Sequence, residues 1–371
     1  MQILKNEIMK KLLLSICILC LGNLILAQCN GRYQIEIFSN TDVATVNYSD
    51  VYTGLEHTMD IYTPTGDTVS NRPVIFYLHG GAFYSGDKSM TDCIDFCKAF
   101  AKRGYVAVSL NYRLANIISF LTSNNEQYKA VLRSVADLKA GVRFLRKDFV
   151  IGDTYGIDPN TIFVGGYSAG AVAALHTAYI DSISDLSATI QALMPTIGGT
   201  LEGDAGNNGY SSEVTAVFSF AGGINNLAWI DANDEPLVSC QGTADNTVSY
   251  NCAPALNNPN ILTLCGSGEM HPKADSVGLL NVHLSFNGTD HSWAASGNSN
   301  NKFIQAITFT SDFLYNLLPC NQTTSIITFP KNEKTLIRIV DVLGRKASLI
   351  YNAPLFYIYD DGTVEKKIIV Q

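Results

Sequence analysis

The sequence has few charged residues and no concentrated basic stretch. Charged residues make up 16% of the 371 residues, and the formal net charge is −8. Binding to the phosphates of nucleic acid needs a concentrated basic surface, which this composition does not offer. We therefore expect no nucleic acid among the partners of this protein.

Beyond the N-terminal segment of residues 1–27, which contains a long apolar run, the usual patterns of a metal site are also missing. That part of the sequence has no C-x-x-C and no pair of histidines at ligand spacing, both of which are typical of zinc sites. We therefore expect no metal.

The expected role of the cysteines is structural. In an exported protein, cysteines are expected to form disulfides, here with one thiol left over. Beyond residue 27 they are Cys29, Cys93, Cys97, Cys240, Cys252, Cys265 and Cys320. Their spacing does not determine the pairing. Cys29 and Cys320 enclose the part of the chain in which strands and helices alternate, so a bridge between these two is a simple hypothesis.

Residues 1–27 have the layout of a secretory signal peptide. A lysine-containing start precedes an apolar run over 12–27. This run is short for a membrane-spanning helix, and no basic stop-transfer cluster follows it. We predict cleavage after Ala27, a secreted or cell-surface location and no stable membrane span. Gln28 stands where a lipoprotein signal normally requires a small residue, which argues against lipidation of Cys29.

Segments typical of buried strands alternate with segments typical of helices. Strands are predicted over 32–38, 58–64, 72–81, 104–114, 161–166, 214–223, 235–242 and 281–288. Helices are predicted over 91–103, 125–148 and 302–317 and onward from Ser168. This alternation favours an α/β fold with a mainly parallel sheet, covered by helices on both faces and opened by antiparallel strands. Such sheets bind ligands at the carboxyl ends of their strands.

Two segments depart from this alternation. Residues 181–213 are polar, rich in Gly and Ser and weakly periodic. They either shape a pocket or partial lid, or form an ordinary surface loop. Residues 321–371 begin with a linker-like stretch and continue with two β-rich pieces, so we predict a small separate β unit after a main domain of residues 28–320.

The stretch "GGYSAGAVAALH", residues 165–176, surrounds Ser168 with small residues directly after an apolar run. A strand that passes at once into a helix needs a tight turn, where the backbone is strained and bulky neighbours would clash. A serine nucleophile also needs a base and a group that orients the base. The alternative is an ordinary strand–turn–helix corner with a surface serine.

The stretch "YLHGGAFYSGDK" places small residues at the end of another predicted strand. Backbone N–H groups in such a loop can approach the oxyanion that develops when a serine attacks a carbonyl carbon. The predicted donors are the amides of Gly81, Ala82 and Ala169. His79 and Gly80 are expected to support the loop, with His79 ordering it through hydrogen bonds rather than acting as a base.

Two further candidates follow the ends of later strands. Asp245 in "QGTADNTV" can reach a histidine, although an aspartate there can also be a simple turn residue. His291 in "SFNGTDHSW" follows the last predicted strand and is the predicted base. Asp290 is a rival orienting acid, and His271, in an expected surface loop, is the alternative base. Three other histidines fit the role less well: His57, His176 and His283.

The motifs "HGGAF" and "GYSAG", followed by Asp245 and then His291, resemble the α/β-hydrolase fold, in which serine, acid and histidine occur in this order. Over residues 28–320 the chain is similar to secreted carboxylesterases of the hormone-sensitive-lipase-like and feruloyl-esterase-like groups. The resemblance implies Ser168 as nucleophile, His291 as base and Asp245 as orienting acid. The loop reads HGGA rather than HGGG, which backbone donation tolerates. Ala171 stands where many relatives carry glycine, a difference that concerns packing.

The tail resembles the C-terminal sorting domain used by the type IX secretion system of Bacteroidetes. The matching features are "IRIVDVLGRKA", with its turn from Asp341 to Gly344, and the closing "KKIIV". The usual glycine before the strand is missing in "NAPLFYIY". The resemblance implies export across both membranes, with the type IX machinery as a partner. The alternative is a carbohydrate-binding or accessory β domain.

The first resemblance implies hydrolysis of a carboxylic ester through an acyl-enzyme, without a cofactor. Four aromatic residues near the catalytic motifs are candidates for a pocket wall, although each can equally be a core residue: Phe83, Tyr84, Tyr167 and Trp293. They favour short-chain or aromatic esters of the acetyl or feruloyl type, as small molecules or linked to polysaccharide. The alternatives are a serine peptidase on the same fold and a non-catalytic binding protein on a hydrolase scaffold.

Overall fold

The computed structural model describes residues 29, 31–321, 336–340, 354–359 and 364–368. The predicted signal peptide lies outside these described residues. Up to residue 321 the strands are β1 Thr41–Asn47, β2 Thr58–Pro64, β3 Arg72–Leu78, β4 Val106–Leu110, β5 Ile157–Tyr167, β6 Ala216–Phe220, β7 Leu237–Gly242, β8 Cys252–Pro254, β9 Thr263–Cys265 and β10 Asn281–Phe286. The α-helices are α1 Thr91–Lys102, α2 Ile117–Thr122, α3 Asn124–Ile151, α4 Ala169–Tyr179, α5 Ala188–Gln191, α6 Ser267–Val277 and α7 Asn301–Leu317.

Eight of these strands form the central sheet, in the order β1-β2-β4-β3-β5-β6-β7-β10. β2 runs antiparallel to β1 and β4, and the strands from β4 to β10 in this order are parallel to one another. The predicted α/β architecture, a mainly parallel sheet opened by antiparallel strands, is confirmed. The carboxyl ends of β3, β5, β7 and β10 consequently meet at one edge of the sheet.

The central strands are apolar along their whole length because helices pack against the sheet. β3 and β4 are buried at every position, as is typical of parallel strands that helices cover. Helices α1, α4 and α7 contact the sheet directly. Helix α3 buries a stripe that includes Leu138, Val142 and Leu145. Ser123 caps this helix, because its Oγ accepts a hydrogen bond from Glu126 N at 3.4 Å.

The strand predicted over 32–38 does not form. Gly31 and Tyr33 have φ values of 82° and 73°, so the chain turns here instead of extending. Ile35 and Ile37 are 58% and 48% exposed. The alternating pattern was the signal for a strand, but none of the described strands pairs with this segment, and the sheet begins later with β1.

Two disulfides lie within the described part of the chain. Cys29 and Cys320 are bonded, as hypothesised, and close the two ends of the main unit. Cys252 and Cys265 join β8 to β9. Three cysteines there remain free and buried: Cys93, Cys97 and Cys240. The expectation of a single unpaired thiol is therefore wrong, because these three side chains are 0% exposed in the core and pack there like small apolar groups.

Removing the Cys29–Cys320 bridge is expected to destabilise the main unit strongly. The two cysteines are 291 residues apart, and a bridge that closes a long loop restricts the unfolded chain most. We expect the C29S/C320S variant to lose about 3–5 kcal/mol of unfolding free energy, measured by urea denaturation of the oxidised proteins. A urea midpoint equal to that of the wild type would contradict this expectation.

The C-terminal strands belong to a second unit, residues 322–371. Strands β11 Leu336–Val340, β12 Pro354–Tyr359 and β13 Val364–Ile368 form an antiparallel sheet in this order. Across the part of the chain that the structure describes, no helix combines the length and the apolar character needed to cross a membrane.

Candidate active site

Ser168 lies at the turn between β5 and α4. Its φ of 54° and ψ of −120° are unfavourable for a residue with a Cβ. The turn packs closely on the end of β3, because a Cβ on Gly166 or Gly170 would lie 2.3 or 2.1 Å from Leu78 O. Ser168 N donates to Phe220 O of β6 at 2.9 Å. Close approach to two neighbouring strands therefore requires the glycines that surround the serine.

Ser168, His291 and Asp245 form one hydrogen-bonded chain. His291 Nε2 lies 2.8 Å from Ser168 Oγ, and His291 Nδ1 lies 2.7 Å from Asp245 Oδ2. The side chain of Asp245 is 0% exposed and that of His291 is 14% exposed. When Nδ1–H donates to the carboxylate, Nε2 is free to accept the serine proton. The structure thus brings together the three residues expected to act as nucleophile, base and orienting acid.

The carboxylate of Asp245 is held by its own loop. Its Oδ1 accepts hydrogen bonds from Thr247 N and Val248 N at 2.9 and 3.0 Å. Gln241 Nε2 lies 3.4 Å from Oδ2. A buried carboxylate with these partners is satisfied and cannot rotate freely, so its second oxygen stays directed at the histidine.

His291 is fixed from behind by Tyr167. The Tyr167 hydroxyl donates to His291 O at 3.1 Å, and the two rings stack with centroids 5.2 Å apart. The loops after β7 and β10 are also tied to each other, because Ala244 N donates to Thr289 O at 3.0 Å. These contacts set the orientation of the imidazole toward Ser168.

The rival acid and base lie in other environments. Asp290 Oδ1 accepts a hydrogen bond from Ser292 N at 3.1 Å and caps the short turn that carries His291. His271 is not in a surface loop as expected, but buried in α6, where its Nδ1 lies 2.6 Å from Asn281 Oδ1. Burial lowers the pKa of His271 to about 3. Only two of the four buried positions of α6 are apolar, Met270 and Ala274, so the sequence of this segment shows no clear apolar helical pattern.

The loop after β3 passes through three successive left-handed conformations. Gly81, Ala82 and Phe83 have φ values of 115°, 52° and 65°. Within the described residues, the N–H groups of Gly81, Ala82 and Ala169 donate no hydrogen bond. Ala82 and Ala169 line the same pocket as Ser168. Unpaired backbone donors beside a nucleophile are suited to bind an oxyanion.

His79 lies beneath this loop. Its Nδ1 is 2.6 Å from Gly80 O, and its ring stacks on that of Tyr112 with centroids 4.2 Å apart. Tyr112 OH donates to His79 O at 2.9 Å. Burial lowers the pKa of His79 to about 4, so the ring is neutral near pH 7. A Cβ on Gly80 would lie 3.0 Å from the Tyr167 ring, so the loop packs directly on the residue that orients His291.

Ser168 opens into an apolar pocket. Helix α3 contributes Val131 and Leu132 to the wall, and α4 contributes Val172. Leu186 and Ile190 of the 181–213 segment also line it. The other residues of the wall are Ala82, Phe83, Phe120, Gln127, Tyr128, Ala169, His176, Ile180, Asn225, Trp229, Thr247, Val248, Ala255, Leu256, Ile261, Leu262 and Leu264.

The 181–213 segment is anchored rather than loose. Arg143 of α3 is 1% exposed and pairs with Glu202 at 2.6 Å. Arg113 bridges Asp137 and Asp204 at 2.9 and 2.7 Å. These partly buried pairs hold the segment against α3, and of the two alternatives considered for it the structure favours a pocket wall over an ordinary surface loop.

The four aromatic pocket candidates occupy different places. Phe83 lines the pocket. Tyr84 packs edge-on against Phe120, outside the lining residues. Tyr167 lies behind His291, and Trp293 is 2% exposed among the aromatic rings of β6 and β10.

Most of the pocket wall was not found by sequence reasoning. Val131 and Leu132 lie on the apolar face predicted for α3, but a pocket wall and a packed core have the same helical pattern. The β8–β9 hairpin supplies Leu256 and Ile261 to the pocket wall. In the sequence, the pair Cys252 and Cys265 was the available indication that this segment folds back on itself.

Comparison with known proteins finds esterases. Residues 59–225 match the sequence model of the BD-FAE family. The chain is 33% identical over 139 residues to the para-nitrobenzyl esterase of Bacillus subtilis (strain 168), a match that covers 36% of this chain and 27% of that protein. Five curated relatives, this esterase among them, are matched over 17% to 33% of their own length.

Solved structures share the fold. Esterase 2 of Thermogutta terrifontis, phosphorylated by paraoxon, matches with a TM-score of 0.54 and 20% identity over 74% of this chain and 94% of that one. A truncated carbohydrate esterase from gut microbiota matches with a TM-score of 0.51 and 19% identity over 76% and 97% of the two chains. The chain therefore has the α/β-hydrolase fold, and within it residues 59–225 match the BD-FAE family.

Proposed function

We propose that the protein is a serine carboxylesterase that works through an acyl-enzyme. The observation that carries this proposal is the Ser168–His291–Asp245 chain, with 2.8 Å between serine oxygen and imidazole nitrogen. It stands at an apolar pocket, beside backbone amides that have no other acceptor among the described residues. The similarity to known esterases supports ester hydrolysis as the reaction class.

The geometry suggests the order of events. Ser168 Oγ attacks the ester carbonyl carbon while His291 Nε2 takes the hydroxyl proton, and Asp245 stabilises the resulting imidazolium. The amides of Ala82 and Ala169, with that of Gly81, bind the oxyanion of the tetrahedral intermediate. The intermediate collapses, and His291 gives its proton to the departing alcohol. Water then attacks the carbonyl carbon of the acyl-enzyme while His291 Nε2 takes a proton from it. The second tetrahedral intermediate collapses, His291 returns the proton to Ser168 Oγ, and the acid is released from the free enzyme.

The substrate class we propose is an ester of a short-chain or aromatic acid, of the acetyl or feruloyl type. The apolar wall around Ser168 supports an acyl group without charge. The alcohol part of the ester is a small molecule or a polysaccharide. The polysaccharide is supported by one structural neighbour that is itself a carbohydrate esterase.

We also propose that the protein is exported and reaches the cell surface or the medium through type IX secretion machinery. The two disulfides support an oxidising compartment. The test is to fuse residues 322–371 to a reporter with a signal peptide in a host with this machinery. We expect reporter in the medium or at the surface, and periplasmic retention would contradict the proposal.

A fluorophosphonate probe tests the proposed nucleophile in the full chain. We expect one phosphonyl group to be attached at Ser168, with fluoride leaving, and hydrolysis of p-nitrophenyl butanoate to stop in parallel. His291→Ala is expected to slow labelling by about 10²–10⁴-fold, whereas His283→Ala, a histidine outside the site, should label at the wild-type rate.

Three results would contradict the proposal. Folded protein that neither labels nor hydrolyses any ester would indicate a non-catalytic scaffold. Cleavage of peptide amides but not esters would indicate a peptidase. Labelling at a residue other than Ser168 would show that the nucleophile is misassigned.

A further inference from the structure

Gln127 is a buried amide in a pocket wall that is otherwise mostly apolar. It lies in the first turn of α3, is 2% exposed, and lines the pocket with Val131 of the same helix. Burial of a primary amide among apolar side chains is unfavourable unless its polar atoms are hydrogen-bonded. The partners of this amide therefore indicate what it does.

The partners of the Gln127 side chain are backbone groups of two other segments. Its Nε2 donates to Phe120 O at 2.8 Å and to Asn260 O at 3.1 Å. Its Oε1 accepts from Leu262 N at 2.9 Å. Both N–H groups and the carbonyl of the amide are thus used, and a single side chain ties α2 to the tip of the β8–β9 hairpin.

The two tied segments are walls of the same pocket. Phe120 of α2 lines it, as do Leu256, Ile261 and Leu262 of the hairpin. The hairpin is closed at its base by the disulfide between β8 and β9. Its tip is tied to the loop after β7 by the hydrogen bond from Leu256 N to Thr247 O at 2.7 Å, and to α2 by Gln127.

We propose that Gln127 is a specificity-determining residue that sets the length of acyl group the pocket accepts. The inference rests on the esterase function proposed above. With the amide in place, α2 and the hairpin tip stay together and the pocket has a fixed depth. Without it, the hairpin tip separates from α2, and longer apolar chains enter at the cost of a poorer fit for short ones.

The test compares p-nitrophenyl esters from acetyl to dodecanoyl on the full-length protein and its Gln127→Met variant. Met has a similar length but cannot donate either of the two hydrogen bonds, and its thioether sulfur is only a weak acceptor for Leu262 N. We expect the ratio of kcat/KM for the dodecanoyl ester to kcat/KM for the butanoyl ester to rise about tenfold. Room for even one further methylene in an apolar pocket changes selectivity by about this factor. Gln34→Met is the matched control, since Gln34 bonds to Asp312 outside the pocket and its loss should leave the ratio unchanged.

A second variant separates selectivity from general stability. In Gln127→Glu, the neutral carboxyl keeps one donor and one acceptor, whereas the carboxylate faces the carbonyl oxygens of Phe120 and Asn260 and is repelled. The selectivity ratio should therefore be nearest the wild-type value at low pH and rise as pH increases. Protonation of the catalytic groups changes kcat/KM for all esters by the same factor, so its effect cancels in the ratio.

Two native side chains on this wall also carry an ionisable group. Besides the introduced carboxyl group, Tyr128 and His176 are the residues with ionisable side chains among the described lining residues of this pocket. Burial lowers the pKa of His176 to about 4, so this ring is neutral above that pH. The wild-type ratio, measured over the same pH range, separates their contribution from that of the new carboxyl group.

The outcomes distinguish this inference from the proposed function. Esterase activity with an unchanged ratio in both variants would overturn the role of Gln127 and leave the esterase intact. Absence of esterase activity in the wild type would overturn the proposed function itself. If Gln127→Met does not fold, a pH-independent ratio in Gln127→Glu is sufficient to reject the inference.

Discussion

Ser168→Ala is expected to lower kcat/KM for p-nitrophenyl butanoate by about 10⁴–10⁶-fold, with no loss of stability. The alanine removes the oxygen that lies 2.8 Å from His291 Nε2, and its methyl group offers no nucleophile in exchange. The unfolding midpoint should not fall, because the imidazole that loses this contact stays bonded to Asp245. Initial rates and urea denaturation of the same preparation measure both quantities.

A double variant tests whether the three residues act as a unit. Groups that work together in one proton relay lose nearly all their effect when one of them is removed. Ser168→Ala/His291→Ala should therefore be no less active than Ser168→Ala alone. Ser219→Ala is the matched serine control, because Ser219 is buried and its Oγ has no hydrogen-bond partner among the described residues. Additive losses in the double variant, or wild-type-like activity in Ser168→Ala, would show that the relay is not the catalytic machinery.

Gly170→Ala is expected to cost about 3 kcal/mol or more of unfolding free energy and to abolish activity. In a helix, this change normally stabilises by up to about 1 kcal/mol. Here the new Cβ would lie 2.1 Å from Leu78 O and 2.7 Å from His79 O. These atoms belong to the backbone at the end of β3 and cannot move aside as a flexible side chain can, so the clash exceeds the gain in helix propensity.

The loss of activity should exceed what partial unfolding explains. Leu78 and His79 lead directly into the loop that presents the amides of Gly81 and Ala82, so a shift of the strand end displaces the oxyanion donors. The measurement is kcat/KM corrected for the folded fraction at each urea concentration. Gly54→Ala is the control, since Gly54 has an extended conformation, with φ of −74° and ψ of 159°, and a Cβ there meets only the exposed Glu56 side chain. Equal unfolding free energies and equal corrected kcat/KM values in the two variants would contradict the expected clash at Gly170.

Sequence reasoning identified the candidate catalytic residues because their signals are local. Ser168 is marked by small residues that a tight strand-to-helix turn requires, and the loop at Gly81 by glycines at a strand end. Asp245 and His291 were selected by their positions after later strands. Parallel strands bring such positions to one edge of the sheet, and the structure places the three side chains within hydrogen-bond distance.

The segment over 32–38 shows where the same reasoning failed. It alternates like a strand, yet strand formation depends on a neighbour that supplies backbone hydrogen bonds, and none of the described strands pairs with it. The free thiols of Cys93, Cys97 and Cys240 were missed because the spacing of cysteines in a sequence does not reveal which of them lie buried and unbonded in the core.

The sequence by itself determined the α/β architecture and the order of serine, acid and histidine, because strand and helix patterns and tight turns depend on neighbouring residues. The tertiary structure decided the pairing of Cys29 with Cys320 and the shape of the pocket. The pocket wall combines α2, α3, the 181–213 segment and the β8–β9 hairpin, which are distant in sequence. Their approach depends on packing and on side chains such as Gln127 that bond across the pocket, and no local pattern encodes such contacts.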